Sequence, residues 1–228
     1  MKSSRALVFV NGEVRNLTAL KKHIQPGDVL VAVDGGLKYL QMLDLQPHIL
    51  IGDLDSVDLT QLEPLQKAGV RVLRFPREKD ETDLELALRI PEVLEAQQIL
   101  ILAALGGRLD QTLANIALMA RPALLEKDVR LEDGSSEVFI IRSVGTIHGE
   151  PGDTVSLLPC QGAAVGIWTE GLKYPLAGEM LYPDSTRGVS NILTTRCAVV
   201  QVQSGLLLCV HTRQGKDVLV DLEVRNEL

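Results

Sequence analysis

Aromatic side chains are scarce in this sequence: Phe, Tyr and Trp together make up 3% of its 228 residues. Aliphatic side chains must therefore build most of the core, and each aromatic residue needs its own account. Cysteine is equally sparse. Cys160, Cys197 and Cys209 are odd in number and show no C-x-x-C spacing, so neither a disulfide framework nor a cysteine zinc site is implied. That usage fits a reducing compartment. No apolar run reaches the length of a membrane span, and Ala6–Val10 is too short for a signal-peptide core. The expectation is a cytoplasmic protein with no membrane contact. A basic stripe is also missing. With 23 Lys and Arg against 30 Asp and Glu, the net charge is −7. This argues against nucleic acid as a partner and favours a cationic small molecule or metal ions. Low-complexity segments and clear internal repeats are absent.

What is present is an alternation of short aliphatic runs with helical patterns. Ala6–Val10, Val29–Val33, Ile49–Ile51, Val70–Leu73 and Ile99–Leu105 read as strands, with Val129–Leu131 as a sixth candidate. Helical stretches are expected over Asn16–His23, Leu37–Leu43, Leu59–Ala68, from Asp83 towards Pro91, and from Asp110 to about Ala120. Strands apolar on both faces and alternating with helices specify a mainly parallel sheet covered by helices. In such sheets ligands bind beyond the carboxyl ends of the strands. Four loops deliver chemistry to that edge: Asp34-Gly35-Gly36, Gly52-Asp53-Leu54-Asp55-Ser56, Lys79-Asp80-Glu81-Thr82-Asp83, and Gly106-Gly107-Arg108-Leu109-Asp110.

Asp53 and Asp55, two apart on extended backbone, point to one side and could share one ion. Hard oxygen ligands without His or Cys favour Mg2+. Asp-x-Asp is equally common in plain strand-to-helix loops. Asp83 adds a third carboxylate, and three in one place without a cation would repel one another. Thr82-x-x-Glu85 has the form of a capping box that would fix the helix start and hold Asp83 in its first turn. Gly106-Gly107 between a strand and a helix can offer N–H groups to phosphate, and Arg108 a planar fork to two phosphate oxygens. The same residues also make an ordinary tight turn with a surface arginine. Acids for Mg2+ beside glycine and arginine for phosphate suggest phosphoryl or pyrophosphoryl transfer.

After Asp133-Gly134 the texture changes. Val138–Ile141, Thr154–Leu158, Ala198–Val202 and Leu206–His211 are short runs separated by Gly, Pro, Asn or Ser. They read as an all-β sandwich or barrel. The expected division is residues 1–133 as an α/β domain for nucleotide and metal and 134–228 as a β domain, with a linker near Glu132–Glu137.

In that order, the four loop motifs resemble those of the thiamine pyrophosphokinase (thiamine diphosphokinase) family. So do Gln111-x-x-x-Asn115, Ser156-Leu157-x-Pro159, Gly171-Leu172-Lys173-Tyr174-Pro175-Leu176 and Gly188-x-Ser190-Asn191 in the remainder. The resemblance implies that Mg-ATP and thiamine give thiamine diphosphate and AMP. It implies a homodimer with each active site at the subunit interface. Carried over by position, Asp53, Asp55 and Asp83 would hold Mg2+. Asp83, Arg108 and Asp110 would form the catalytic set. Asp34, Thr82, Arg108 and Asp110 would contact the nucleotide phosphates, the metal shell or the reacting hydroxyl, with Gly35, Gly106, Gly107 and Gln111 also binding the co-substrate. Tyr174 would stack on the cationic thiamine ring, with Ser190 and Asn191 nearby. Trp168 lies outside the aromatic motif and is expected to be structural. Leu54 and Gln111 depart from the common Phe and His, and Gln111 argues against a histidine base there. A diphosphokinase for another small alcohol, such as a hydroxymethylpterin, would keep the α/β motifs and change the β-domain pocket. A thiamine or nucleotide sensor should have lost one of the acids, and none is missing.

Overall fold

The structure, a computed structural model, describes residues 5–55, 57, 60 and 62–214. Its frame is one 12-stranded sheet in the order β10-β9-β12-β7-β6-β5-β1-β2-β3-β4, with β11 beside β9 and β8 beside β12. The parallel part comprises β1 (Arg5–Phe9), β2 (Val29–Val33), β3 (Ile49–Gly52), β4 (Arg71–Arg74), β5 (Gln98–Leu102) and β6 (Asp128–Glu132). These strands are short and aliphatic because each is buried on both faces, and alternate residues divide between two cores. Ala6, Val8, Val31, Ile51, Ile99 and Ile101 pack towards α4 (Asp83–Ala87) and α5 (Pro91–Leu94). Leu7, Phe9, Leu30, Ala32, Leu50 and Leu102 pack towards α1 (Leu17–Lys21), α2 (Leu37–Met42) and α3 (Leu62–Lys67). Leu59, the expected start of α3, lies outside the described residues, as do Ser56 and residues 215–228.

β1 is hydrogen-bonded to β2 on one side and to β5 on the other, so the chain order reverses there. Such a switch point opens a crevice beyond the carboxyl ends. β5 stops at Leu102, three residues before the expected end. Ala103 turns to φ 57, its carbonyl accepts from Gly12 N–H (2.7 Å), and the Ala104 carbonyl accepts from Asn115 Nδ2 (2.8 Å). Apolarity continues to Leu105 because these residues are buried, not because the strand does. α6 (Leu109–Leu118) follows, with Arg108 at its N-cap.

β6 turns directly into β7 (Ser136–Ile141), which runs antiparallel to it with Glu132 opposite Glu137. The turn between them is buried and charged. Asp133 Oδ1 accepts from the Ser135 and Ser136 amides, and Glu132 takes both Arg213 guanidinium nitrogens at 2.9 and 2.8 Å. The rest is antiparallel: β8 (Val144–His148), β9 (Thr154–Glu170), β10 (Ala177–Leu181), β11 (Asn191–Ile192) and β12 (Cys197–Thr212). β12 pairs with β8 through its first residues and with β7 through its last, while β9 follows it along nearly its whole length. The core beneath this half is continuous with that under α4 and α5. None of the helices among the described residues is long and apolar enough to cross a membrane.

Candidate active site

Three of the expected loops meet in a carboxylate cluster. Asp34 follows β2 in a single 3-10 turn, Asp34–Gly36, and sits at φ 46. A non-glycine residue held there stores roughly 1–3 kcal/mol of strain, a cost usually met at functional positions. Asp34 Oδ1 accepts from Leu54 N–H at 3.1 Å. The close approach depends on Gly52: a Cβ there would lie 1.8 Å from Asp34 Oδ1, and Gly52 has φ +149. Burial, and next the carboxyl of Asp83 with which it shares a hydrogen bond, push the Asp34 pKa up to about 7; the charge of Asp53 acts in the same direction, and Leu54 N–H opposes. The strand ends after β2, β3 and β4 therefore bring Asp34, Asp53 and Asp83 together. Asp34, expected at the phosphates, the metal shell or the reacting hydroxyl, lies among these acids.

The Asp55 N–H donates to Asp53 Oδ1 (3.0 Å), and its half-exposed carboxylate lies 3.7 Å from Arg77. Asp83 stands first in α4, as its sequence position implied, capped by Thr82, whose hydroxyl accepts from Glu85 N–H at 3.2 Å. The reciprocal half of the capping box is not made. Glu85 is taken by Arg89 at 2.5 Å and by Arg121, because two guanidinium groups outcompete one amide for its charge. Asp83 Oδ1 is buried without a hydrogen-bond partner, although the Lys79 ammonium lies 3.0 Å away. A buried carboxylate oxygen with no hydrogen bond and only an ammonium beside it, a neighbouring acid whose pKa is raised, and an all-oxygen donor set fit a hard divalent cation. Among the described residues no three acid, His or Cys side chains stand as a finished metal cage.

The switch-point crevice is a cavity of about 650 Å³. Gly106, Gly107, Arg108 and Gln111 line it, as their motif implied, together with Asn11, Glu13, Lys38 and Tyr39, which sequence reading had passed over. The signal available was position: Asn11-Gly12 ends β1, the strand at the reversal. Gly36 lets the 3-10 turn press on β1, since a Cβ there would lie 2.1 Å from the Phe9 carbonyl. Asp34 at the start of that turn belongs to the acid cluster, while α2, which continues from the turn, lines the cavity through Tyr39 and through Lys38, bonded to Asn11 Oδ1 at 2.7 Å. Gly106 (φ 76) and Gly107 (φ 65) supply the left-handed backbone that the loop needs. Arg108, which lines the cavity, and Asp110 are both exposed and bonded to each other at 2.6 Å.

Tyr174 and its neighbours form a separate group on the β half. Buried Asn191 clamps the backbone of Tyr174: Oδ1 accepts from Tyr174 N–H (3.0 Å), and Nδ2 donates to its carbonyl (2.7 Å). Ser190, at φ 59, donates its N–H to Ser156 Oγ (3.1 Å). Tyr174 is 50% exposed, and the Lys173 ammonium lies over its ring, 5.5 Å from the centroid. Trp168, expected to be structural, is 55% exposed on the outer face of β9 and covers Gly178 of β10. Among the described residues no hydrogen bond or ion pair joins Tyr174, Ser190 or Asn191 to Asp53 or Asp83.

A doubly covered, mainly parallel sheet, a carboxylate cluster and a glycine-arginine loop at one edge, and a strand-rich half define a two-part α/β transferase. Comparison with known proteins names the family. A family model of the thiamin pyrophosphokinase catalytic domain matches residues 20–131, and one of that family's vitamin B1 binding domain matches residues 143–207. The chain belongs to the thiamin pyrophosphokinase family. It is similar to the thiamine pyrophosphokinase of Bacillus subtilis, 27% identical over 211 residues that span 91% of this chain and 99% of the relative. It is similar to thiamine pyrophosphokinase 1 of Oryza sativa, 26% identical over 74% of this chain and 67% of that protein. The fold agrees with the crystal structure of the Bacillus subtilis protein (TM-score 0.81, 24% identity, 92% of this chain and 99% of that one). It agrees also with thiamin pyrophosphokinase from Candida albicans (TM-score 0.74, 17% identity, 92% and 89%).

Proposed function

We propose that this chain is a thiamine diphosphokinase that transfers the pyrophosphoryl group of Mg-ATP to the hydroxyl of thiamine, releasing AMP. The observation that carries the reading is the Asp34–Asp53–Asp83 cluster at the strand ends of the same sheet whose switch-point cavity, large enough for a nucleotide, is lined by Gly106, Gly107 and Arg108. Asp53, Asp55 and Asp83 would hold Mg2+, with Asp34 next to them. The bound cation would supply charge neutralisation for the transferred phosphates. Arg108 offers its fork to phosphate oxygens, and the Gly106-Gly107 backbone can approach them closely. The thiamine hydroxyl oxygen forms its bond to the β-phosphorus as the bond from that phosphorus to the α,β-bridging oxygen breaks, so AMP leaves with the bridging oxygen. The carboxylate cluster is the acceptor at hand for the hydroxyl proton. Tyr174, positioned by the Asn191 clamp, offers an exposed aromatic ring to a cationic ring, which would take the place the Lys173 ammonium now holds over it.

The separation of the Tyr174 group from the acids supports a homodimer in which one copy's β half completes the other's site. Exposed Trp168, Tyr182 and Val189 offer apolar surface for that contact. Three unpaired cysteines agree with a reducing, cytoplasmic setting. The test is to mix protein, Mg-ATP and thiamine and to identify the nucleotide product. AMP with thiamine diphosphate supports the reading. ADP would replace it with simple phosphoryl transfer, and thiamine binding without either product would make the protein a sensor.

A further inference from the structure

Lys79 is placed unusually for a lysine. Its side chain is 12% exposed, and its ammonium lies 3.0 Å from Asp83 Oδ1 while donating to the Pro76 carbonyl at 3.0 Å. Burying a long, charged side chain sacrifices hydration and rotamer freedom, and such a charge persists where acids surround it. Here it stands against the acid whose buried oxygen lacks a hydrogen bond, in the cluster with Asp34 and Asp53. A divalent cation on Asp83 and an ammonium 3.0 Å from the same oxygen repel each other, so the two compete for that carboxylate. Nucleotide phosphates would give the displaced ammonium new acceptors.

We propose that Lys79 is the internal counter-cation of the carboxylate cluster, holding Asp83 in the free protein and yielding it only when a metal–nucleotide complex arrives. The site then discriminates against bare divalent cations. The inference rests on the reading that Asp53, Asp55 and Asp83 hold the metal. Mn2+ alone, titrated into the full chain without nucleotide and followed by the electron paramagnetic resonance signal of the free ion, tests it. Lys79→Met and Lys79→Gln, the second keeping a donor for Pro76 without the charge, should each bind Mn2+ at least tenfold more tightly than wild type, about 1.4 kcal/mol. Lys79→Arg should stay within about threefold of wild type. Lys67→Met, the same charge loss on exposed α3, should change nothing, which separates the local contact from net charge. Folded Lys79→Met and Lys79→Gln with unchanged or weaker Mn2+ binding would overturn the proposal, and a lowered melting temperature alone would make Lys79 a loop anchor. Asp83→Asn tells the two readings apart. If it abolishes Mn2+ binding while the Lys79 variants behave as wild type, only the counter-cation role falls. If wild type binds no Mn2+ even with a non-hydrolysable ATP analogue, the metal assignment falls and takes the role of Lys79 with it.

Discussion

Asp34→Asn should make the cation-free protein more stable at pH 8 while removing most of its activity. The folded-state pKa of Asp34 is raised from 3.8 to about 7. Between those values the folded chain keeps a proton that the unfolded chain releases, so stability falls as pH rises through the window. The full shift would amount to roughly 4 kcal/mol by linkage, but the side chain is partly open to water, and screening reduces this to about 1–2 kcal/mol. Asparagine retains the Oδ1 acceptor for Leu54 N–H and cannot ionise. In EDTA at pH 8 the variant should therefore melt about 2–8 °C above wild type, given that 1 kcal/mol shifts a chain of this size by about 2–4 °C. Near pH 4 both carry a neutral group, and the difference should vanish. Melting curves by circular dichroism at the two pH values read this directly. A variant less stable than wild type at pH 8, or an equal difference at both pH values, would refute the account of Asp34 as a carboxyl kept from ionising by burial and by its acidic neighbours. AMP release in the same variant should fall at least a hundredfold, about 2.7 kcal/mol of barrier, a stability–activity trade-off expected of a site that stores repulsion.

Three further outcomes are expected. Gly52→Ala places a Cβ where Asp34 Oδ1 now lies, so it should cost about 2–4 kcal/mol in a denaturant melt and at least tenfold in turnover; a loss under 0.5 kcal/mol would show that the loop is soft. Tyr174→Ala should raise the KM for thiamine more than that for ATP, and Asn191→Leu, which unclamps the Tyr174 backbone, should do the same with an added loss of about 1–3 kcal/mol in stability; equal effects on both substrates would make Tyr174 a packing residue. Glu137 is buried, which opposes ionisation, yet His211, Arg130 and Arg213 hold its pKa at about 2, below the ordinary 4.5. The resulting stability, roughly 2–3 kcal/mol, is present above pH 4.5 and is lost as pH falls towards 2, so Glu137→Gln should flatten that part of the acid-unfolding curve.

Several features were legible in the chain because they are local. Strand alternation follows from side-chain period, and doubly apolar strands such as Val29–Val33 announce helices on both faces. The capping of α4 by Thr82 is a matter of four consecutive residues. So is the left-handed backbone at Gly106 and Gly107. The ordered motifs from Asp34 to Asn191 sufficed to name the family. Long-range choices were not legible. Nothing near Glu85 in sequence says that Arg121 will reach it, so the capping box read as whole where the fold makes half. β5 read too long because burial of Ala103–Leu105 mimics strand apolarity.

The sequence by itself determined the alternation of strands and helices in the first half, the family and the inventory of acids, glycines and arginine, since each depends on residues near one another in the chain. Only the tertiary structure decided which acids meet. It set Asp34 against Asp83 across 49 residues, turned Asp55 towards Arg77, and opened the cavity beside β1 by reversing the strand order there. Carboxylates come together against their own repulsion only when the sheet fixes the strand ends that carry them, and that constraint is a property of the assembled core.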